Sequence, residues 1–344
     1  MSNSVAGDQP RTAQLGTPDN AAFFQYNVIL DKIFGRKDVA PWALLDFPTH
    51  SNVGDSAIWL GSLAILEARF QASPRYVTRN MGFPTDLDKV MPEGPIFFLG
   101  GGNFGDLWPG FWEHRVSVID QFVHRKIVQL PQSIYFVDLR GRALRETQRA
   151  ISKHPDFTLL VRDKPSLEFA QKAFDCPIYL CSDMAFGLRD LSNDEEASVP
   201  ALALMRDDLE KRIEGEAPDS LRQYARVTDW IERERPPFSD RAVPYLIKKF
   251  PSLNQYLISS LAAAYRRQAT RQLRRGIEIL SQGDIIITDR LHGHILSTLM
   301  RKKHIVLDNS YGKVFNYINT WPDDGFTMKA ENIEAAKIIL SEFS

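Results

Sequence analysis

Gly283-Asp284-Ile285-Ile286-Ile287-Thr288-Asp289-Arg290-Leu291-His292-Gly293-His294 joins a β-branched, apolar run to an Arg-x-His pair. Asp284 to Thr288 has the pattern of a short buried strand. Leu291, Ile295, Leu296, Leu299 and Met300 then recur at helical spacing, and Thr288 or Asp289 stands where a cap is needed. The pattern predicts a strand, a turn and a helix, with Arg290 and His292 in the first helical turn. A helix amino-terminus offers N–H groups and positive potential, so it suits an anion. A guanidinium adds a forked clamp and an imidazole adds a proton carrier. Such a site fits an enzyme acting on a phosphorylated or carboxylated substrate.

Upstream, apolar runs alternate with helical patterns from about Asn20 to Cys181, which predicts an α/β fold with a parallel sheet. Strands are expected at Trp42 to Phe47, Pro74 to Thr78, Pro95 to Leu99, Lys126 to Pro131, Phe157 to Val161 and Pro177 to Cys181. Helices are expected from about Asp55 to Phe70, Trp112 to His124, Arg142 to Ser152 and Pro165 to Phe174. Residues 190–240 are charged and carry Pro200, Pro218, Pro236 and Pro237, with only Ala201 to Met205 resembling a strand. A long helical pattern then runs from Leu253 to Gln282. Another strand is expected at Lys303 to Leu307, and a helix at Glu331 to Phe343. At 344 residues the chain exceeds one ordinary core, so two domains are expected. The divisions are a disordered leader at 1–20, an amino-terminal domain at 21–187, a second domain with a charged insertion at 188–320, and a helical segment at 321–344.

Composition narrows the function. A net charge of −1 gives no basic footprint for nucleic acid. Cys176 and Cys181 are too few for a secreted disulfide framework and lack nearby metal-binding partners, so they read as buried thiols in a reducing compartment. The first 20 residues have no apolar h-region, and no run approaches the roughly 20 apolar residues that span a bilayer. The expected location is the cytoplasm.

Four loops that follow strands concentrate small and polar residues, and ligands of open α/β sheets bind outside the carboxyl ends of strands. In the first, Asn52-Val53-Gly54-Asp55, Gly54 permits close backbone approach. Asp55 either acts on a substrate hydroxyl or is a plain N-cap. The second, Gly100-Gly101-Gly102-Asn103-Phe104-Gly105, matches G-x-G-x-x-G with Asp120 twenty residues on. Leu107-Trp108-Pro109-Gly110 interrupts the helix that a dinucleotide site needs, so a pocket-lining loop fits better. In the third, Arg162 leaves a strand end and serves either an ion pair or an anion. In the fourth, Asp308 to Lys313, Lys313 faces either an anion or solvent. His292 in isolation would read as a core histidine; beside Arg290 at a helix start, a functional role is favoured. His294 falls on another face and reads as structural. No G-x-S-x-G elbow and no metal-binding spacing is present, so no metal is expected.

Taken in order, Asn52-x-Gly54-Asp55, Gly100-Gly101-Gly102-Asn103, Arg162-Asp163-Lys164, Ser182-Asp183 and Asp289-Arg290-Leu291-His292-Gly293 resemble the polysaccharide pyruvyl transferase family. The resemblance runs from about Asp46 to Lys313. It implies two Rossmann-like domains facing across a cleft, a GT-B-like architecture. It implies transfer of pyruvate from phosphoenolpyruvate onto two hydroxyls of one sugar, as a 4,6-ketal, with release of phosphate. Arg290 and His292 then match the family's phosphoenolpyruvate-binding Arg-x-His, with Arg162 as the arginine from the first domain. Leu291 and Lys313 complete the expected donor site, and Asn52, Gly54, Gly101, Gly102 and Asn103 the acceptor loops. No cofactor is expected beyond the donor. The acceptor is expected to be an exopolysaccharide or a polyprenyl-diphosphate-linked precursor.

Two guanidiniums suit a donor that carries a carboxylate and a phosphate close together. His292 is the expected proton donor to the methylene carbon, with Asp55 as the base and Asp183 as its rival. Two alternatives stay open at this point: a glycosyltransferase using a nucleotide sugar, and a non-catalytic glycan-binding relative. A separate pattern concerns location. Lys248, Lys249, Arg266, Arg267, Arg271, Arg274 and Arg275 surround the apolar run Leu257 to Ala264. This is either a basic surface meeting the inner face of a membrane or a domain helix with a core face and a solvated basic face.

Overall fold

The computed structural model describes residues 18–35, 41–108, 110–206, 218–231, 237–309, 312–322 and 324–343. The leader expected at 1–20 lies outside them apart from its last three residues, which begin helix α1. Two parallel sheets organise the chain. The first contains β1 (Ala43–Phe47), β2 (Tyr76–Arg79), β3 (Ile96–Phe98), β4 (Gly101–Gly105), β5 (Ile127–Tyr135), β6 (Phe157–Val161) and β7 (Ile178–Leu180). Its helices are α1 (Pro18–Phe34), α2 (Val53–Phe70), α3 (Leu87–Val90), α4 (Phe111–Gln121), α5 (Arg142–Lys153) and α6 (Lys164–Ala173). The second contains β8 (Val199–Leu204), β9 (Arg226–Thr228), β10 (Gly283–Thr288), β11 (His304–Val306) and β12 (Thr327–Lys329). Its helices are α7 (Phe238–Lys249), α8 (Asn254–Ser281), α9 (Leu291–Leu299), α10 (Lys313–Ile318) and α11 (Ile333–Ser341).

The strand orders matter most for the site. The first sheet runs β2-β1-β3-β5-β6-β7, with β4 paired to β5, and the second runs β12-β11-β10-β8-β9. Chain order therefore reverses direction between β1 and β3, and again between β8 and β10. At such switch points the connections leave to opposite faces and open a crevice outside the carboxyl ends of the strands. The sequence β1 Ala-Leu-Leu-Asp-Phe is buried along its whole length, as a strand covered on both faces must be.

The main apolar core is continuous from the first sheet into one face of the second: Trp42, Phe97, Leu204 and Ile286 belong to one cluster. Phe47, at the end of β1, stacks on Tyr265 of α8 with ring centroids 4.0 Å apart. A smaller cluster covers the other face of the second sheet under α11. The α8 run that sequence alone left ambiguous is a core face in part, since Ile258, Leu261 and Ala264 are buried.

Some expected boundaries move, for physical reasons. Gly100-Gly101-Gly102 does not simply end β3; Gly101 to Gly105 forms β4. Strand β5 makes this possible by continuing past Pro131 to Tyr135, with a register shift between Gln129 and Gln132 that accommodates the proline. Helix α2 starts at Val53, so Asp55 is not its cap; Asn52 Oδ1 accepts from Gly54 N at 3.3 Å. In α9 neither Thr288 nor Asp289 caps. Arg290 occupies the cap position, Thr288 Oγ1 accepts from Arg290 N at 3.1 Å, and Asp289 Oδ1 accepts from Arg206 N at 2.9 Å. Residues 321–344 carry the edge strand β12 as well as the expected helix.

Candidate functional site

Residues from both switch points line one cavity of about 340 Å³. Asp46 comes from the end of β1, Asn52 and Asp55 from beyond it, and Gly100, Gly102 and Asn103 from beyond β3. Arg206 comes from beyond β8, while Arg290, Leu291 and His292 come from beyond β10. Lys313, at the start of α10, lines it too. Arg162, Asp183, Gly54 and Gly101 do not line the cavity but stand beside residues that do.

The cationic wall is held from several sides. Arg290 is buried, its Nη2 lies 2.7 Å from Asp229 Oδ1 and donates to Oδ2 at 2.8 Å, and its guanidinium sits 5.8 Å from the Trp230 ring centroid. An ion pair and an aromatic face thus orient the arginine. Gly102 is where Lys313 and Arg162 meet. A Cβ built on Gly102 would stand 2.7 Å from Lys313 Cε and 3.1 Å from Arg162 Nη2, so a side chain there would push the end of Lys313 aside. Arg162 Nη2 is buried with no hydrogen-bond partner among the described residues. Lys313 is placed by the loop before α10: Asn309 Oδ1 accepts from Lys313 N, and Asp308 Oδ1 accepts from Val314 N and Phe315 N.

His292 has a built environment. Gly54 packs against its ring, and a Cβ there would lie 2.5 Å from His292 Cγ. His292 Nε2 lies 3.6 Å from Asp183 Oδ2. Asp183 is itself fully buried, accepts from Ala185 N at 2.8 Å and pairs with Arg162 Nη1 at 2.5 Å. Burial alone would push the Asp183 carboxyl up. Arg162, His292 and the Ala185 N–H together outweigh it and hold the group well below the usual carboxylate range. Arg162 donates through Nε to Ser133 Oγ as well, at 2.9 Å.

Across the cavity, Asp55 sits in the first turn of α2 and lines the wall. Asn52 Nδ2 donates to Asp55 Oδ2 at 2.8 Å, and His50 Nε2 lies 3.7 Å from the same oxygen. Asn103 is fixed through its side-chain oxygen, which accepts from Gln132 Nε2 at 2.9 Å and Arg115 Nη2 at 3.1 Å. Gly101 opens β4, and a Cβ there would come within 3.9 Å of Asp55 Oδ1.

Several residues of this site were not singled out from sequence. Asp46 is buried, lines the cavity, lies 3.2 Å from His114 Nε2 and adopts φ 73°, a backbone region that costs a non-glycine residue energy. A lone acid inside the apolar strand Ala43–Phe47 was its signal. Asp229 and Trp230 fall in the charged stretch, where composition says little. Asp289 is pushed up to about 6 by burial, against the pull of Arg290 and Arg206. Trp108, Phe111 and Trp230 bring aromatic rings to the same cavity.

Among the described residues, one group of three ligand-type side chains converges elsewhere: His294, His304 and Asp324, with donor atoms within 4.8 Å of one another. The two rings meet at 2.8 Å between His294 Nδ1 and His304 Nε2, and Asp324 accepts from Thr298 and Thr327 at 2.5 and 2.9 Å. His304 Nδ1 faces Lys302 O at 2.8 Å, which makes that nitrogen the donor and leaves Nε2 to accept. Hydrogen bonds satisfy these groups as they stand. Both cysteines are free thiols; burial pushes Cys176 up to about 12 and raises Cys181 as well.

The family model for polysaccharide pyruvyl transferase matches residues 52–311. EpsO of Bacillus subtilis, provisionally named a pyruvyl transferase, is 33% identical over 84% of this chain and 89% of its own length. Pyruvyl transferase 1 of Schizosaccharomyces pombe is 28% identical over 88% of this chain and 76% of its own. A functionally uncharacterised protein of Klebsiella pneumoniae shares the fold, with a TM-score of 0.59 and 15% identity, covering 90% of this chain and 99% of that one.

Proposed function

The chain belongs to the polysaccharide pyruvyl transferase family, and on that premise we propose that phosphoenolpyruvate is its donor and a sugar diol its acceptor. The two sheets serve as two domains with the cavity between them, and the acceptor sugar belongs to an exopolysaccharide or its lipid-linked precursor. One observation carries this reading: Arg290, His292 and Lys313 from the second sheet's side converge with Asp55 and the Gly100 to Asn103 loop from the first sheet's switch point on one cavity.

Each group has a role that its surroundings suit. Arg290 and Lys313 hold the donor's carboxylate and phosphate, with Arg162 behind Gly102 adding positive potential. His292 gives a proton to the methylene carbon as the first sugar hydroxyl adds to the enol carbon. The proton of that hydroxyl goes to Asp55. Asp183 is the weaker candidate for the base, because a carboxylate locked to Arg162 and held ionised accepts protons poorly. Its role is to orient His292. Loss of phosphate then leaves an electron-poor carbon, the second hydroxyl closes the ketal, and that hydroxyl's proton leaves with the phosphate. The methyl proton thus comes from His292, the first hydroxyl's proton rests on Asp55, and exchange with solvent restores both side chains; the net change carries one hydroxyl proton to the methyl group and one to the departing phosphate. Trp108, Phe111 and Trp230 give a sugar ring apolar faces to rest on.

The experiment is incubation with phosphoenolpyruvate and a panel of oligosaccharides, free and lipid-linked, followed by mass spectrometry. A mass gain of one pyruvate ketal, with an equal amount of phosphate released, is expected. Transfer of a sugar from a nucleotide sugar instead would overturn the reading.

A further inference from the structure

Helix α7 carries two faces of different chemistry. Asp240, Val243 and Ile247 turn toward α8: Asp240 is buried and pairs with Arg271, and the two aliphatics pack on the core. At 100° per residue the opposite side collects Phe238, Arg241, Tyr245, Lys248 and Lys249 within a single stripe. All five are exposed, Phe238 at 76% and Tyr245 at 60%. Phe250 and Tyr256 extend the surface, exposed at 47% and 76%. Singly exposed apolar side chains are ordinary, but here several share one surface and are interleaved with cations. From Pro237 to Ala263 the one acidic residue is Asp240, which is buried.

From this face we infer that α7 is a docking surface for an anionic lipid bilayer. Helices that lie in a membrane interface combine aromatic side chains at headgroup depth with lysine and arginine beside the phosphates. A second copy of this chain is a poor occupant, because a two-fold contact would bring Arg241, Lys248 and Lys249 against their own equivalents with no acid between them. The surface differs from the one sequence alone pointed to. There the apolar run Leu257 to Ala264 was the candidate, and its Ile258, Leu261 and Ala264 are spent on the core.

The placement gives the face a purpose. Helix α7 runs antiparallel to α8, since Asp240 near its start meets Arg271, and its end turns through Pro251–Leu253 into Asn254. Arg275, one turn beyond Arg271, donates to Ser51 O, and Ser51 lines the cavity. The amino end of the face is therefore the end nearer the cavity. Docking along α7 brings the mouth of the site toward the bilayer, where a lipid-linked acceptor resides. The docking itself stands apart from the reaction proposed above, and its test uses no substrate.

The test is flotation of the full chain with vesicles of phosphatidylcholine alone or with added phosphatidylglycerol, at low and high salt. Binding to the phosphatidylglycerol vesicles only, weakened by salt, is expected. Removing charge in Lys248→Gln with Lys249→Gln should weaken it by roughly fivefold per residue. Phe238→Ser with Tyr245→Ser should weaken it at both salt concentrations. Both pairs are on the surface, so unchanged melting temperatures will show that the fold is intact. No flotation with anionic vesicles overturns the proposal, as does flotation that neither pair of substitutions reduces. A concentration-dependent dimer abolished by the same substitutions would assign the face to a second copy instead.

Discussion

Gly54 lies against the ring of His292: a Cβ added at position 54 would stand 2.5 Å from His292 Cγ and 2.7 Å from its Cβ. The first turn of α2 and the first turn of α9 therefore fit together only because one of them has no side chain at that point. Gly54→Ala tests the fit. Alanine favours a helix, so the fold should persist, but the imidazole must move. A shift of about 1 Å at a catalytic group costs on the order of 10²-fold in rate. Phosphate release from phosphoenolpyruvate should fall by that factor with the melting temperature nearly unchanged. Unaltered release would show that the position of His292 is not critical.

Asp183 and Asp55 should separate by what their loss damages. Asp183→Asn leaves Arg162 as a buried charge with its ion pair broken, a change that costs about 3–5 kcal/mol. Urea unfolding should report it. Asp55→Asn keeps the fold, because Asp55 is partly exposed at the cavity wall, and should cut turnover with little effect on donor binding. If Asp55→Asn retained full turnover while a folded Asp183→Asn lost it, the two roles would have to be exchanged.

Asp289 introduces a pH dependence. Burial pushes it up to about 6 despite Arg290 and Arg206, so the fold favours its protonated form. The associated stability is fully present below the ordinary carboxylate value near 4 and is lost as pH rises through about 6, up to roughly 3 kcal/mol. Asp289→Asn should remove that loss. Melting temperatures from pH 4 to 7 should then show a smaller decline in the variant than in the parent, and parallel curves would contradict the assignment.

The His294–His304 pair acts in the other direction. Burial, then the neighbouring His304, presses His294 down to about 3. Its neutral form is the one the fold favours, so the stability is fully present above the ordinary histidine value near 6.5 and is lost as pH falls toward 3. His304→Gln should make the loss of urea resistance below pH 6.5 shallower. An unchanged slope would remove this pair as its source.

The long periodic elements were legible in the sequence. Phe157–Val161 forms as expected, and the strand and helix around Arg290-x-His292 differ only at their caps. The elements that escaped are short or set by tertiary contact. Strand β4 is glycine-rich and exists because β5 continues past Pro131. Strands β9 and β12 are three residues long and lie at sheet edges. The candidate site shows the same division. Arg290 and His292 stood out through their place after a strand. The pairings did not: Asp229, which lies 61 residues from Arg290, was not singled out, and Asp183, named as a rival base, gave no sign in the sequence that it meets His292. Asp46 left a trace, one acid in an apolar strand, but its strained backbone is visible only in three dimensions.

The central claim is that Arg290 binds the donor and His292 acts on it afterwards. Calorimetric titration of phosphoenolpyruvate into the parent protein, Arg290→Met and His292→Asn, paired with phosphate release from the same samples, tests both halves together. The account predicts that Arg290→Met loses at least tenfold in affinity, about 1.4 kcal/mol. It predicts that His292→Asn still binds phosphoenolpyruvate but releases phosphate about 10²–10⁴-fold more slowly. Undiminished binding by Arg290→Met, or undiminished release by His292→Asn, would contradict it.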